Sequence, residues 1–285
     1  MISTKKADFF MIRLNKITLV LAGMFCSFQL FSQNLFDETN TFKFTDYLFK
    51  TQQFNLASQE YERLVIMVPS NLNYKLSLIQ CYRLSNNYTF AEKRFSDFFS
   101  DSLFSLPNSI SVEFIKIKLL QENLPSAQSF INQNTRLDLP TKLHYQECIY
   151  LLGRKWSKSD SLLQHSQGLD PRFSTITKEA LAIRYKSPFL AATFSTILPG
   201  SGKVYTGYWK DGLIAFFFVA ANSWQAYRGF SKYGVNNAHG WIFGGIGTGF
   251  YLGNIYGSWK SAVRRNKKAN NDLYKRSQDI IYSGF

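Results

Sequence analysis

Histidine and cysteine are scarce in this 285-residue chain, with three of each. The histidines, His144, His165 and His239, stand far apart, and no His/Cys/Asp/Glu grouping has metal-ligand spacing. No nucleophile motif and no pair of convergent carboxylates is present either, so no enzymatic activity, metal or other cofactor is expected. Three cysteines make no disulfide framework. Cys26 falls near the N-terminus, and Cys81 and Cys148 fall in well-separated helical stretches, too far apart for the Cα spacing of about 4.4–6.8 Å that a bridge needs. Both read as small buried apolar residues. Strand-like alternation is missing from 33–177, which points to an all-α fold.

Acidic residues are also short, 19 against 33 Lys and Arg, and the imbalance is local. Residues 1–32 carry a net +3, residues 33–177 a net +1 and residues 178–285 a net +10. A nucleic-acid binder would show a basic stripe on its folded domain. Here the basicity flanks apolar segments instead, as membrane proteins and anionic headgroups require, so no nucleic-acid partner is expected.

The chain opens with Lys5, Lys6, Arg13 and Lys16, followed by the apolar run 17–31 and Ser32. This reads as a secretory signal peptide over 1–32, or an uncleaved signal anchor, that exports the chain beyond it.

Residues 33–177 are polar and helix-patterned, and they repeat. Phe54-Asn55-Leu56-Ala57 recurs as Tyr88-Thr89-Phe90-Ala91, an offset of 34. Looser copies occur at 123–127 and 155–159, at steps of 36 and 32. Each copy comes after one helical stretch and begins another. Ala57 is trailed by Tyr61, Leu64 and Pro69; Ala91 by Phe95 and Phe98; Ser159 by Leu163 and Leu169-Asp170-Pro171. The third copy fits worst, with Lys118 and Asn134 where apolar or small residues are expected. In these positions the stretch resembles tetratricopeptide repeats, about four helix pairs. The resemblance implies a helical solenoid whose groove binds a protein partner. Phe95, Phe98, Phe99 and Phe114 are candidates for that groove or for inter-helix core, and core is the preferred reading. Residues 178–186 are expected to continue as a linker helix.

The remainder is organised around residues 187–257, a glycine-rich block with three apolar runs at 188–198, 212–227 and 240–256. Such runs suit a small helical membrane domain in which glycines let helices approach closely. The first run, at about 11 residues, is shorter than the roughly 20 that span a bilayer. It therefore enters partway or crosses a thinned membrane. Between the runs stand Pro199, Gly200, Gly202, Tyr205, Gly207, Asp211 and Gly212, a tight turn with interfacial aromatics leading into the next helix. Gly202-Lys203 is not a phosphate loop, because Ile197 and Val204 occupy places where that motif needs Gly and Ser or Thr. A second cluster comprises Phe250, Tyr251, Gly253, Tyr256 and Gly257.

Both clusters resemble those of a family of small bacterial membrane proteins with a Pro-Gly-x-Gly-x-x-Tyr-x-Gly turn, a subsequent Asp-Gly, and a Phe-Tyr-x-Gly-Asn-Ile-Tyr-Gly signature. Lys203 departs from the usual Gln. Some relatives are fused to, or encoded near, the membrane protein insertion efficiency factor, which implies a neighbourhood in membrane-protein biogenesis.

Asn222 and Asn254 lie inside apolar runs. Each is expected to face another helix, through helix-to-helix hydrogen bonds or as the wall of a polar pocket shared with Asp211. Beyond Tyr256 comes a basic tail, 258–285, in which Lys260, Arg264, Arg265, Lys267 and Lys268 are expected to face lipid. With the repeats outside and this tail inside, three membrane crossings are expected; a re-entrant first run would leave two.

The function expected from these parts is a non-enzymatic adaptor anchored in the bacterial inner membrane. Its repeat domain lies on the exported, periplasmic side and binds a protein partner in membrane-protein biogenesis or envelope assembly. Its membrane part meets lipids and other membrane proteins. The alternative is a small transporter or channel component with the Pro-Gly turn at its pore.

Overall fold

A computed structural model describes residues 36–166 and 168–285; the leader at 1–32 and Cys26 lie outside the described residues. The described residues are helical throughout, with no strand among them. They divide into two compact units, one ending at Asp101 and the other running from Ser102.

The first unit holds α1 (Glu38–Lys50), α2 (Phe54–Met67), α3 (Leu72–Leu84) and α4 (Tyr88–Phe99). Leu48, Leu64 and Leu78 form its core with Tyr61 and Tyr74. The second unit begins with α5 (Asn108–Leu120), α6 (Leu124–Gln133), α7 (Leu139–Leu152), α8 (Trp156–His165) and α9 (Pro171–Leu181).

The repeat is written most plainly in the turns. Gln52, Asn86, Glu122 and Arg154 all adopt φ between 54° and 61°. In each turn the next residue donates its amide back to the carbonyl five places earlier: Gln53 to Leu48, Asn87 to Tyr82, Asn123 to Lys118 and Lys155 to Tyr150, at 2.8–2.9 Å. This is the Schellman closure of a helix C-terminus, used four times without a glycine at the left-handed position. The next helix starts at once. The small residues Ala57, Ala91, Ala127 and Ser159 are all fully buried. A side chain no larger than Ala or Ser lets the paired helices cross there.

The third pair departs from an apolar pattern for a visible reason. Asn134 is buried, donates from Nδ2 to Ser111 Oγ at 3.0 Å, and accepts at Oδ1 from the amides of Arg136 and Leu137. The amide thus closes the end of α6 instead of leaving buried polar groups unpaired. Lys118 lays its ammonium 5.2 Å from the Phe114 ring centroid. Phe95 and Phe99 are core, and the Phe114 ring packs 4.6 Å from Phe130. Cys81 and Cys148 are free thiols, both buried.

The expected linker helix over 178–186 is not formed. α9 stops at Leu181, and 183–187 run without regular structure. This stretch of chain is held instead by Asn266, whose side-chain amide accepts from Lys186 N at 3.0 Å and donates to Lys186 O at 2.9 Å.

After it come α10 (Pro188–Ile197), α11 (Ser201–Tyr205), α12 (Trp209–Tyr233) and α13 (Ala238–Tyr282). α10 and α11 fold back, so that Ser187 N meets Tyr205 Oη at 3.3 Å. The two ends of the segment therefore lie side by side. α12 and α13 form an antiparallel hairpin. Gly212, Val219 and Ala226 are buried along one helix and Gly240, Gly247 and Asn254 along the other, each set at steps of seven. That spacing keeps one seam facing the partner helix.

α13 has 45 residues, about 68 Å at 1.5 Å per residue. It runs straight through Gly257, where the sequence suggested a boundary between membrane domain and tail. No Gly or Pro interrupts 258–282, so nothing stops the helix. Its far end joins the repeats: Leu273 and Ile281 are buried in one core with Ile149, Phe173 and Ile176. The basic C-terminal stretch therefore packs against α7 and α9 instead of trailing free of the repeats.

Among the described residues, no helix is long and apolar enough to cross a membrane. α12 has the length, at 25 residues, but Asn222, Ser223 and Gln225 interrupt its apolar stretch. The three crossings expected from the apolar runs are not carried by these helices.

Candidate functional site

The residues singled out around the Pro-Gly turn do converge. Gly200 takes φ +87°, and a Cβ built on it would collide with Gly212 O. A Cβ on Gly202 would collide with Ala191 O. These two glycines let the turn pack directly on the start of α12 and on α10, which no larger residue allows. Ser195 Oγ accepts from Gly202 N at 3.0 Å and lies 2.6 Å from Ser258 Oγ, so α10, α11 and α13 share one buried hydroxyl pair. Thr206 Oγ1 lies 2.7 Å from Ser261 Oγ. Lys186 Nζ stands 4.5 Å from the Tyr205 ring centroid.

Other predicted residues scatter around this knot. Arg265 is exposed, and its guanidinium donates to Thr206 O at 2.9 Å, closing the loop at Gly207. Tyr251 Oη donates to Thr196 O at 2.7 Å, tying the second signature to α10. Phe250 stacks on Phe218 with ring centroids 5.2 Å apart. Tyr256 is exposed with Lys260 Nζ 4.9 Å above its ring. Lys267 and Lys268 are exposed on α13.

The two asparagines of the apolar runs behave differently from one another. Asn222 Nδ2 donates to Phe218 O of its own helix at 2.7 Å, so it makes no helix-to-helix bond. Asn254 is 4% exposed, and neither Oδ1 nor Nδ2 has a protein partner.

Asn254 and Gly253 line a cavity of about 370 Å³ with Lys203, Asp211, Ile214, Phe218 and Phe250. A second cavity of about 240 Å³ is lined by Lys203, Tyr208, Asp211, Gly257, Lys260 and Arg264. Sequence reasoning found Asp211, Asn254 and the basic pair, but it missed Lys203, which with Asp211 lines both cavities. Its place in the Pro-Gly turn, where the resembled motif has Gln, was the available signal. Gly257 makes room for it, since a Cβ there would already touch Lys203 Cε at 3.4 Å.

No protein-family model, curated protein or solved structure matches this chain. Function therefore rests on the geometry. No group of His, Cys, Asp and Glu among the described residues could hold a metal ion. Glu147 is a fully buried carboxylate with Ser159 donating to its Oε1, and burial raises its pKa. Ser159 Oγ in turn lies 2.6 Å from Thr177 Oγ1. All three are sealed in the repeat core, where no substrate reaches them.

The surface around the site is unusual. Phe217 is 64% exposed and Trp224 60%, and Tyr227, Trp241, Ile242 and Leu252 also face outward. The seam between the helices holds glycine, alanine and valine instead. Large apolar side chains outside and small ones inside reverse the order of an ordinary water-facing helix pair.

Proposed function

We propose that this chain is a non-enzymatic, membrane-anchored adaptor. The α12–α13 hairpin sits in lipid, and the helix pairs, built as tetratricopeptide-like repeats, recruit a protein partner in envelope assembly or membrane-protein biogenesis. The observation that carries the anchoring is the inverted hairpin. Its helices meet through small residues at steps of seven, and its aromatics and branched side chains face away from the protein. Helices in lipid associate through such small-residue seams, because apolar bulk outside is already at home in acyl chains.

The continuous α13 joins the anchor to the recruiting helices of the second unit. The leader expected over 1–32 assigns these helices, and the C-terminus with them, to the exported face.

Flotation tests the anchor. The full chain is expected to rise with phosphatidylcholine vesicles in a density gradient and resist extraction by high salt. A chain left at the bottom of the gradient overturns the anchoring. Reporter fusions at Thr177 and Phe285 test the side: both report the exported compartment if the reading holds, and a cytoplasmic report from both moves the partner search inside. Recruitment is tested by crosslinking in cells, where a partner should be lost when the repeat core is broken by Ile149→Asp.

A further inference from the structure

The two cavities beside the Pro-Gly turn adjoin through Lys203 and Asp211, which line both. Together they make one cleft with a charged end and an apolar end. At the charged end, Lys203, Lys260 and Arg264 face a single carboxylate, Asp211, so the cations outnumber the acid. Tyr208 adds a hydroxyl. No side chain caps the N-terminus of the 25-residue α12 that begins there, and the positive end of its dipole adds to the field. The apolar end is walled by Ile214, Phe218 and Phe250. Asn254 lies in that wall, almost wholly buried, with a donor and an acceptor that no protein group meets. Leaving such groups unmet costs about 1–3 kcal/mol each, so the position favours a ligand carrying polar atoms just below its charge.

A cationic rim, a polar contact below it and an apolar floor match an anionic amphiphile in that order. We propose that the cleft binds one anionic phospholipid. Its phosphate lies among Lys203, Lys260 and Arg264, its glycerol-ester region meets Asn254, and an acyl chain lies along Ile214, Phe218 and Phe250. Free phosphate would use the charged end alone and leave Asn254 unmet. The proposal rests on the reading that the hairpin sits in lipid, and it deepens that reading from a general anchor to a single headgroup-selective site. It also gives the turn a purpose: contact of Gly200 with Gly212 brings Lys203 over Gly257 and between the two ends.

The test uses the full chain purified in detergent, titrated separately with short-chain phosphatidylglycerol, short-chain phosphatidylcholine and inorganic phosphate, and read by native mass spectrometry and thermal unfolding. One phosphatidylglycerol per chain is expected, with weaker phosphatidylcholine binding. Lys203→Gln and Arg264→Gln should each weaken phosphatidylglycerol by roughly tenfold, the scale of one charge-assisted hydrogen bond. Asn254→Leu should weaken both lipids alike. Lys267→Gln, on the same helix but outside the cleft, should change nothing. Equal affinity for the two lipids, or phosphate displacing phosphatidylglycerol at equal concentration, overturns the proposal. So does a Lys267→Gln loss as large as that of Lys203→Gln, which would mean general charge attraction. A chain that floats with phosphatidylcholine vesicles but shows no headgroup preference loses the cleft and keeps the anchor. A chain that fails to float yet takes one phosphatidylglycerol loses the anchor and keeps the cleft.

Discussion

The two halves of α13 solve opposite problems with one continuous backbone. From Ala238 to Gly257 the buried positions are Gly240, Gly247 and Asn254, and the large residues Trp241, Ile242 and Leu252 face outward. From Ser258 onward the order reverses. Leu273 and Ile281 are buried against the repeats, and Lys267 and Lys268 face outward. A water-facing helix is held by hiding its bulk, whereas a lipid-facing helix gains nothing by hiding it and packs through its smallest residues. The switch falls near Ser258, where Ser195 and Ser258 join their hydroxyls. On the proposed anchoring, the medium each segment faces is written in what it buries, more than in how apolar it is on average.

The sharpest way to break this comparison is to place the same charge on each half. Leu273→Asp puts a carboxylate into the core shared with α7 and α9 and should destabilise the second unit by about 4 kcal/mol or more, beyond the 2–5 kcal/mol of a cavity alone. Phe217→Asp, on the exposed face of α12, should shift unfolding in detergent by only about 0.5 kcal/mol while sharply reducing vesicle flotation. Thermal unfolding and flotation on both variants decide it. If Phe217→Asp unfolds the protein and leaves flotation intact, that face is a protein contact and not a lipid contact.

The glycine seam offers the next test. A Cβ on Gly247 would meet Asn222 Cβ at 3.3 Å, but one on Gly249 has nothing within 4 Å. Gly247→Leu should therefore force the hairpin apart at about 1–3 kcal/mol, the usual range for overpacking. Gly249→Leu should be neutral, or stabilise by up to about 1 kcal/mol through helix propensity. Equal losses at the two sites would mean that helix crossing does not depend on the seam.

Much of the repeat half could be read from the chain because its signals are local. The small residues Ala57, Ala91, Ala127 and Ser159 mark each crossing, and each sits a few residues after a turn of fixed geometry. The Pro-Gly turn was equally visible, since proline and paired glycines punctuate any helix. What stayed hidden depends on distant partners. Leu273, Ser277 and Ile281 are too sparse a stripe, amid seven basic residues, to announce a buried face. The fold-back of α10 depends on Gly200 meeting Gly212, which spacing alone does not reveal. Asn222 and Asn254 look alike as letters, yet one satisfies itself on Phe218 O and the other borders a cavity. Lys203 stood out as part of a failed phosphate loop and as a departure from Gln, but neither signal tells that it meets Asp211 and Asn254 in space.

Within the repeat core, Glu147 gives a pH test of the half that faces water. Burial raises its pKa above the ordinary value of 4.5, so the folded chain holds that proton to higher pH than the unfolded chain does. Linkage sets the sign: stability is fully present below the ordinary carboxylate value and is lost as pH rises through the raised one. Glu147→Gln keeps an acceptor for Ser159 and removes the ionisation. It should unfold at higher temperature than the parent near neutral pH and match it in acid. A difference independent of pH would show that packing, and not charge, sets the effect.

The smallest effect separates charge from packing where α13 meets the repeats. Arg276 pairs with Glu179 on α9, and both side chains are about half exposed, at 49% and 46%. The guanidinium holds the Glu179 carboxyl below its usual range, so the pair contributes above that range and is lost as pH falls through the lowered value. Water and salt screen such a pair, which limits Arg276→Gln to about 1 kcal/mol or less, vanishing in high salt. Leu273 lies three residues away on the same helix, so comparing the two variants holds the helix and its neighbours constant. If Arg276→Gln rivals Leu273→Asp in low salt, the far end of α13 is held to the repeats by charge and the anchor can be released by ionic strength. If it stays small at every salt concentration, the docking is apolar, and the hairpin and the recruiting helices move as one body.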